Sequence, residues 1–271
     1  MKAPIHFTHD ALLQPTNPIT VNLIGAGGNG SLMLTHLARM NHSLISLGHA
    51  GLDVNVFDDD TVAEPNLGRQ QFAHCELGLP KAVALVSRTN RFYGTHWKAI
   101  NKKFEKNGRD VDNILRAGIY ISCVDTASSR FGIAETIQQI CQQSHYMNKA
   151  LYWLDMGNGQ QTGQAILSTI GTHHQPPSEK FTTVGNLPFI TEEYMDLLLA
   201  QDDTDTPSCS LAEALEKQDL FINPAITALA ASLLWKTFRQ GYILEKGFFL
   251  NLNTYTSTAI PLLQLPLEIT V

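Results

Sequence analysis

Between residues 57 and 72 the chain reads FDDDTVAEPNLGRQQF, three carboxylates in a row followed within a dozen residues by an Asn and an Arg-Gln pair. A turn needs one or two Asp and no basic partner. This arrangement suits a ligand that carries both hydroxyls and phosphates. A second stretch, GAGGNG at residues 25–30, points to the same chemistry. Glycines let a phosphate approach the backbone, and a helix behind them presents free N–H groups with a partial positive charge. Gly25, Gly27, Gly28 and Gly30 are therefore candidate nucleotide-binding positions. Asp58 stands at the end of the second strand of the pattern, where an Asp accepts hydrogen bonds from a ribose.

The elements that must carry these residues follow from hydrophobic periodicity. A β-branched run at 20–24 flows into the glycines and then into a helical pattern at 31–47. A strand at 52–57 leads into the acidic stretch, and a helix starts near Pro80. A strand at 119–124, a helix at 126–143 and a strand at 151–156 continue the alternation. Residues 163–170 read as an edge strand. Asn223-Pro224 reads as a helix cap and first helical residue, opening an apolar helix that stops before Gly241. FFLNLNTYTS adds a strand near the C-terminus. Repeated βαβ units predict an α/β, Rossmann-like, doubly wound and mainly parallel sheet with a C-terminal antiparallel extension. The expectation is one domain over residues 1–271 with a long crossing loop at about 171–208, interrupted by a helical patch near 191–200.

Bulk properties narrow the function. With 271 residues, 44% hydrophobic and 16% charged, the composition is that of a globular protein, and a net charge of −6 disfavours nucleic-acid binding by phosphate neutralisation. MKAPIHFTHD lacks the apolar core of a signal peptide, and no apolar run approaches a membrane span, so a cytoplasmic protein without a membrane partner is expected. Cys75, Cys123, Cys141 and Cys209 form no CxxC pair, which disfavours structural zinc and a disulfide framework. The ten histidines show no metal-ligating arrangement.

Together GxGGxG and DxDxVxxxNLxRQ resemble the ThiF/MoeB and ubiquitin-activating-enzyme superfamily, whose members adenylate a C-terminal carboxylate with ATP. Lys81 in GLPKA, Asp125 in SCVDTASSR and LDMGNGQQTGQ at 154–164 extend the resemblance. It implies that Asp58 binds the ribose, that Asp60 lies close to the phosphates or their metal, and that Asn66, Arg69 and Lys81 contact the triphosphate. Gln70 orients this cluster. Asp125 matches the family's Mg²⁺ ligand. Arg130, beyond it, reads as a structural ion pair.

Many superfamily members go on to form a thioester or persulfide on a cysteine. Cys209 in TPSCSLAEAL is the candidate here; Cys123 and Cys141 read as buried and inert. The chain departs from the pattern in having no CxxC pairs, no Arg within residues 1–20, and Pro65 in place of a Ser before the Asn. These features and PSCSLAEALEKQ most resemble ThiF-like proteins of the PRTRC cassette. The resemblance implies a homodimer and a small ubiquitin-like β-grasp partner that offers its C-terminal tail. Adenylation of a small carboxylate or an RNA-borne carbonyl, an NAD-dependent oxidoreductase, and a non-catalytic nucleotide-binding scaffold stay open as alternatives.

Overall fold

Parallel strands covered on both faces bury side chains of both orientations, and residues 21–24, 54–57, 119–122 and 152–157 are buried throughout, the polar Asn22, Asn55, Ser122 and Asp155 included. A computed structural model of the chain describes residues 2–105, 113–143, 150–200 and 211–263. Its first half contains β1 (Ala3–Phe7), α1 (Asp10–Leu13), β2 (Ile19–Ile24), α2 (Gly28–Ser46), β3 (Leu52–Phe57), α3 (Lys81–Tyr93), β4 (Lys98–Ile100) and β5 (Ile119–Ser122). The second half contains α4 (Ala127–Gln143), β6 (Tyr152–Asn158), β7 (Thr162–Thr169), β8 (Phe181–Thr183), α5 (Ile190–Glu193) and α6 (Met195–Leu199). After these come α7 (Leu211–Lys217), α8 (Ile222–Gln240), β9 (Tyr242–Ile243), β10 (Glu245–Asn251) and β11 (Thr256–Pro261).

The main sheet has the order β11-β10-β7-β6-β5-β2-β3-β4. Strands from β4 to β6 pair in parallel, and β7, β10 and β11 join antiparallel, as expected for the predicted class. On one face Val21, Leu23, Val54, Val56, Ile119 and Ile121 pack with residues of α2, α3 and α8. On the other face Ile24, Phe57, Tyr120 and Trp153 pack with α4 and α5. At roughly 25 cal/mol per Å² of apolar surface removed from water, these two layers are the main source of stability.

Several expectations are corrected. β7 is interior rather than an edge strand, because the β10–β11 hairpin pairs onto its open side; the sheet ends at β4 and β11. α8 begins at Ile222 with Phe221 at the cap position, so Asn223 is inside the first turn, and Asp219 instead accepts from the Phe221 N–H at 2.8 Å. Pro224 is tolerated there because first-turn N–H groups have no helical acceptor. α2 begins at Gly28, earlier than the helical pattern indicated.

Residues 171–200 hold more structure than a crossing loop. β8 pairs in parallel with β1, whose other edge pairs antiparallel with β9, making a separate three-stranded sheet. This sheet joins the main one through a buried ring cluster. His6 Nδ1 lies 2.6 Å from the Val184 carbonyl oxygen and its Nε2 lies 2.9 Å from the Tyr152 hydroxyl, while His173 stacks edge-on against Tyr152 at 4.9 Å. Burial pushes the His6 pKa down, and burial with the neighbouring His6 and His9 takes His173 down to about 4.

Candidate active site

Register places the site. Ile24 pairs with Phe57 on one side and with Ser122 on the other, so Gly25, Asp58 and Cys123 leave the sheet side by side at its carboxyl edge. Here the order of strand addition reverses, with β3 to one side of β2 and β5 to the other, the position where open α/β sheets bind ligands.

The glycines divide the work. Gly25 has φ +91°, and a Cβ there would lie 2.8 Å from the Cys123 carbonyl oxygen. A Cβ on Gly30 would lie 1.8 Å from the Gly25 carbonyl oxygen, so Gly30 allows the loop to close on the helix and does not itself face the cleft. Gly27 meets only Gln70 Nε2 at 4.0 Å and leaves its side open to the cleft. At the start of α2 no side chain caps the N-terminus and no acidic residue occupies the first turn. The helix dipole is therefore presented to whatever occupies the cleft.

That cleft measures about 520 Å³, and Gly25, Gly27, Gly28, Asp58, Asp60, Arg69, Gln70, Lys81 and Asp125 all line it. Asp58 Oδ2 accepts from the Ala26 N–H at 2.6 Å and Oδ1 from the Asp60 N–H at 2.9 Å. Burial nevertheless raises its pKa, with the Ala26 N–H and the Lys81 charge opposing the shift. Such a carboxylate gains from further donors. Lys81, the first residue of α3, donates its backbone N–H to the Asp60 carbonyl oxygen at 2.9 Å and its Nζ to Asp60 Oδ2 at 2.7 Å. Arg69 Nη1 donates to Gln218 Oε1.

Asn66 lies outside the cleft lining; its Oδ1 accepts from the Ala63 N–H at 2.8 Å and holds the short 3₁₀ turn Glu64–Asn66. Gln70 continues that turn, its N–H donating to the Asn66 carbonyl oxygen at 2.9 Å. Arg130 forms the structural ion pair read from the sequence, with Nε 3.1 Å from Asp155 Oδ2. Its Nη1 also donates to the Asp125 carbonyl oxygen at 3.4 Å, fixing the backbone that carries Asp125.

Of the cysteines, Cys123 is buried as expected, and burial with the charges of Asp155 and Asp125 pushes its thiol well up. Cys141 is exposed, contrary to the reading from sequence, because it falls on the outer side of α4. Cys75 is also exposed. Cys209 lies outside the described residues. Among the described residues no group of three or more His, Cys, Asp or Glu is arranged to hold a metal by itself, and no helix is long and apolar enough to cross a membrane.

Sequence reasoning missed further lining residues: Lys102 and Lys103 after β4, the apolar wall formed by Phe57 and Phe104, and Gln218 with Asn223. The Lys pair was open to detection as a basic step at the end of a strand. Gln218 and Asn223 carry no charge and sit far along the chain.

The fold has solved counterparts. Selenomethionyl PaaA superposes with a TM-score of 0.58 at 13% identity, covering 94% of this chain and 66% of PaaA. MccB from E. coli gives 0.56 at 14% identity, covering 94% of this chain and 65% of MccB, and MccB with AMPCPP and MccA gives 0.54 at 14%, covering 94% and 66%. This chain thus spans just under two thirds of those proteins. Among curated proteins none matches. The ThiF family model, by contrast, matches residues 3–262, nearly the whole sequence, and the chain belongs to the ThiF family.

Proposed function

We propose that the protein is an adenylyltransferase: it binds ATP in the cleft at the carboxyl edge of the sheet, and a carboxylate attacks the α-phosphorus to give an acyl adenylate and pyrophosphate. The observation that carries this reading is the meeting, in one cleft, of a glycine cradle on a helix N-terminus, two cations from the acidic stretch and the start of α3, and a partly desolvated carboxylate. The cradle and the cations suit a polyphosphate whose charge grows on the leaving group, where prepositioned donors lower the barrier. Asp58 suits a ribose diol, whose hydroxyls supply the donors that its half-buried carboxylate gains from.

Asp125, with phosphate oxygens, would hold Mg²⁺, which takes one or two carboxylates alongside phosphates and water. Bound there, the ion would screen charge on the phosphates. Asp60 adds acidity beside them. The carboxylate belongs, in this reading, to the C-terminal tail of a small ubiquitin-like β-grasp protein, as the resemblance to PRTRC-cassette proteins implies. MccB has been solved with MccA, and with AMPCPP and MccA together, which supports a second molecule meeting a bound nucleotide on this fold. Thioester formation on Cys209 and a homodimer belong to the same proposal.

ATP–pyrophosphate exchange with Mg²⁺ tests it, with a β-grasp protein from the same operon present or absent. Exchange should require the intact C-terminus of that protein. It should fall by roughly two orders of magnitude in Arg69→Ala and in Asp125→Ala, the size expected for losing one transition-state donor. ATP binding without exchange would favour the scaffold reading. Trapping of the partner on the wild type but not on Cys209→Ala would establish the thioester.

A further inference from the structure

Arg69 of the acidic stretch and Lys81 at the start of α3 each meet a different kind of partner at the cleft. Lys81 pairs with a carboxylate, Asp60. Arg69 donates to a neutral amide, the Oε1 of Gln218, in the linker between α7 and α8. Arg has only donors to offer, so Gln218 must present its carbonyl oxygen to it. Asn223 fixes that orientation, because its Nδ2 donates to the same oxygen at 3.1 Å.

Asn223 is itself fixed. It is 1% exposed, and a Cβ added to Gly28 would lie 2.5 Å from its Nδ2, so the glycine at the head of α2 is what makes room for it. The linker is pinned from the opposite side by the β6–β7 turn: Gln160 Nε2 donates to the Glu216 carbonyl oxygen at 2.7 Å, and the Asp219 N–H to the Gln160 carbonyl oxygen at 2.9 Å. A chain of contacts therefore runs from the phosphate loop through Asn223 and Gln218 to Arg69.

We propose that Gln218, oriented by Asn223, is the positioning residue that holds the Arg69 guanidinium toward a bound polyphosphate, which makes the α7–α8 linker part of the nucleotide site. This rests on the nucleotide reading given above. A neutral acceptor does what a carboxylate in its place would not. It directs one edge of the guanidinium without placing a negative charge of its own beside it, whereas Glu would compete with phosphate for the same group.

The experiment is calorimetric titration with ATP, and ligand-observed NMR with adenosine, on the wild type, Gln218→Ala, Gln218→Glu, Arg69→Ala and the Arg69→Ala/Gln218→Ala double variant. Gln218→Ala should weaken ATP about fivefold to tenfold, the scale of one charge-assisted hydrogen bond, with adenosine unchanged. Gln218→Glu should weaken ATP further, since it brings a competing charge. In the Arg69→Ala background the Gln218 change should add less than about twofold, the signature of a residue acting through another. Equal losses for ATP and adenosine, or an undiminished Gln218 effect without Arg69, would make the role merely structural and overturn the proposal. Undisturbed ATP binding in Gln218→Ala would overturn it as well while sparing the nucleotide reading. A wild type that binds no ATP would instead end that reading, and this inference with it.

Discussion

Two ion pairs serve the cleft, Lys81–Asp60 within its lining and Arg130–Asp155 behind it, and they are built to opposite ends. Lys81 and Asp60 meet at 2.7 Å with the Asp side chain 66% exposed, whereas Arg130 and Asp155 meet at 3.1 Å with both side chains at 3% or less. Every arm of the Arg130 guanidinium is engaged: Nε by Asp155, Nη1 by the carbonyl oxygens of Asp125 and Thr126, Nη2 by that of Met156. Asp155 also accepts from Ser122 Oγ at 2.5 Å, and Ser122 in turn from Trp153 Nε1 at 2.7 Å. Gly157 has no side chain because a Cβ would lie 2.5 Å from Arg130 Nη2. A charge enclosed in this way has nothing left for a ligand, and what it contributes is the shape of the wall. The Lys81 pair faces solvent through its acidic member, so a phosphate can replace or join the carboxylate at little cost. Proximity to a cleft does not separate a cation open to a ligand from a bracing one; the exposure of its partner does.

The largest effect should come from breaking the enclosed pair. Arg130→Ala strands a buried carboxylate and should cost about 3–5 kcal/mol, read as a thermal midpoint lower by roughly 10 °C; an Arg130→Met/Asp155→Leu double variant should recover most of it. A loss below 1 kcal/mol in Arg130→Ala would erase the distinction between the two pairs. Next comes a buried group kept uncharged. His173 takes up its proton near pH 4 in the folded protein against 6.5 ordinarily, so the unfolded chain binds more protons in that window and stability is lost as pH falls through it. The expected loss is about 2 kcal/mol between pH 6.5 and 4, measured by urea titration and flattened in His173→Phe. Lys81→Met should weaken ATP about tenfold while changing the unfolding free energy read from urea titration by less than about 1 kcal/mol. Asp60→Asn, removing the exposed member, should shift stability by no more than about 0.5 kcal/mol, the smallest effect of the four.

The βαβ core was legible because its signals are local: the runs that became β2, β3 and β5 are short and apolar, and the glycines lie directly between strand and helix. The cleft's charged residues were legible for a similar reason, since Asp58, Asp60, Arg69 and Lys81 fall within 24 consecutive positions of the chain. Gln218 was not, because it reaches Arg69 across 149 positions and belongs to a four-residue linker too short for periodicity. Asn223 was misread because an Asn before Pro has the composition of a cap, and only the packing against Gly28 shows that it faces inward. β8 and β9 are three and two residues long, too short for a pattern to rise above their surroundings.

The small sheet orders events in time. Residues 3–7 find their neighbours at 181–183 and 242–243, so β1 leaves the ribosome long before either partner exists. At about 5–20 residues per second it waits roughly 10–50 s for β9, while β2, α2 and β3 can already assemble beside it. Loop closure over such separations is slow as well as late. β1 is therefore a clasp that shuts late, holding an edge that stays open to other chains during synthesis and that depends on strands far along the chain to be covered.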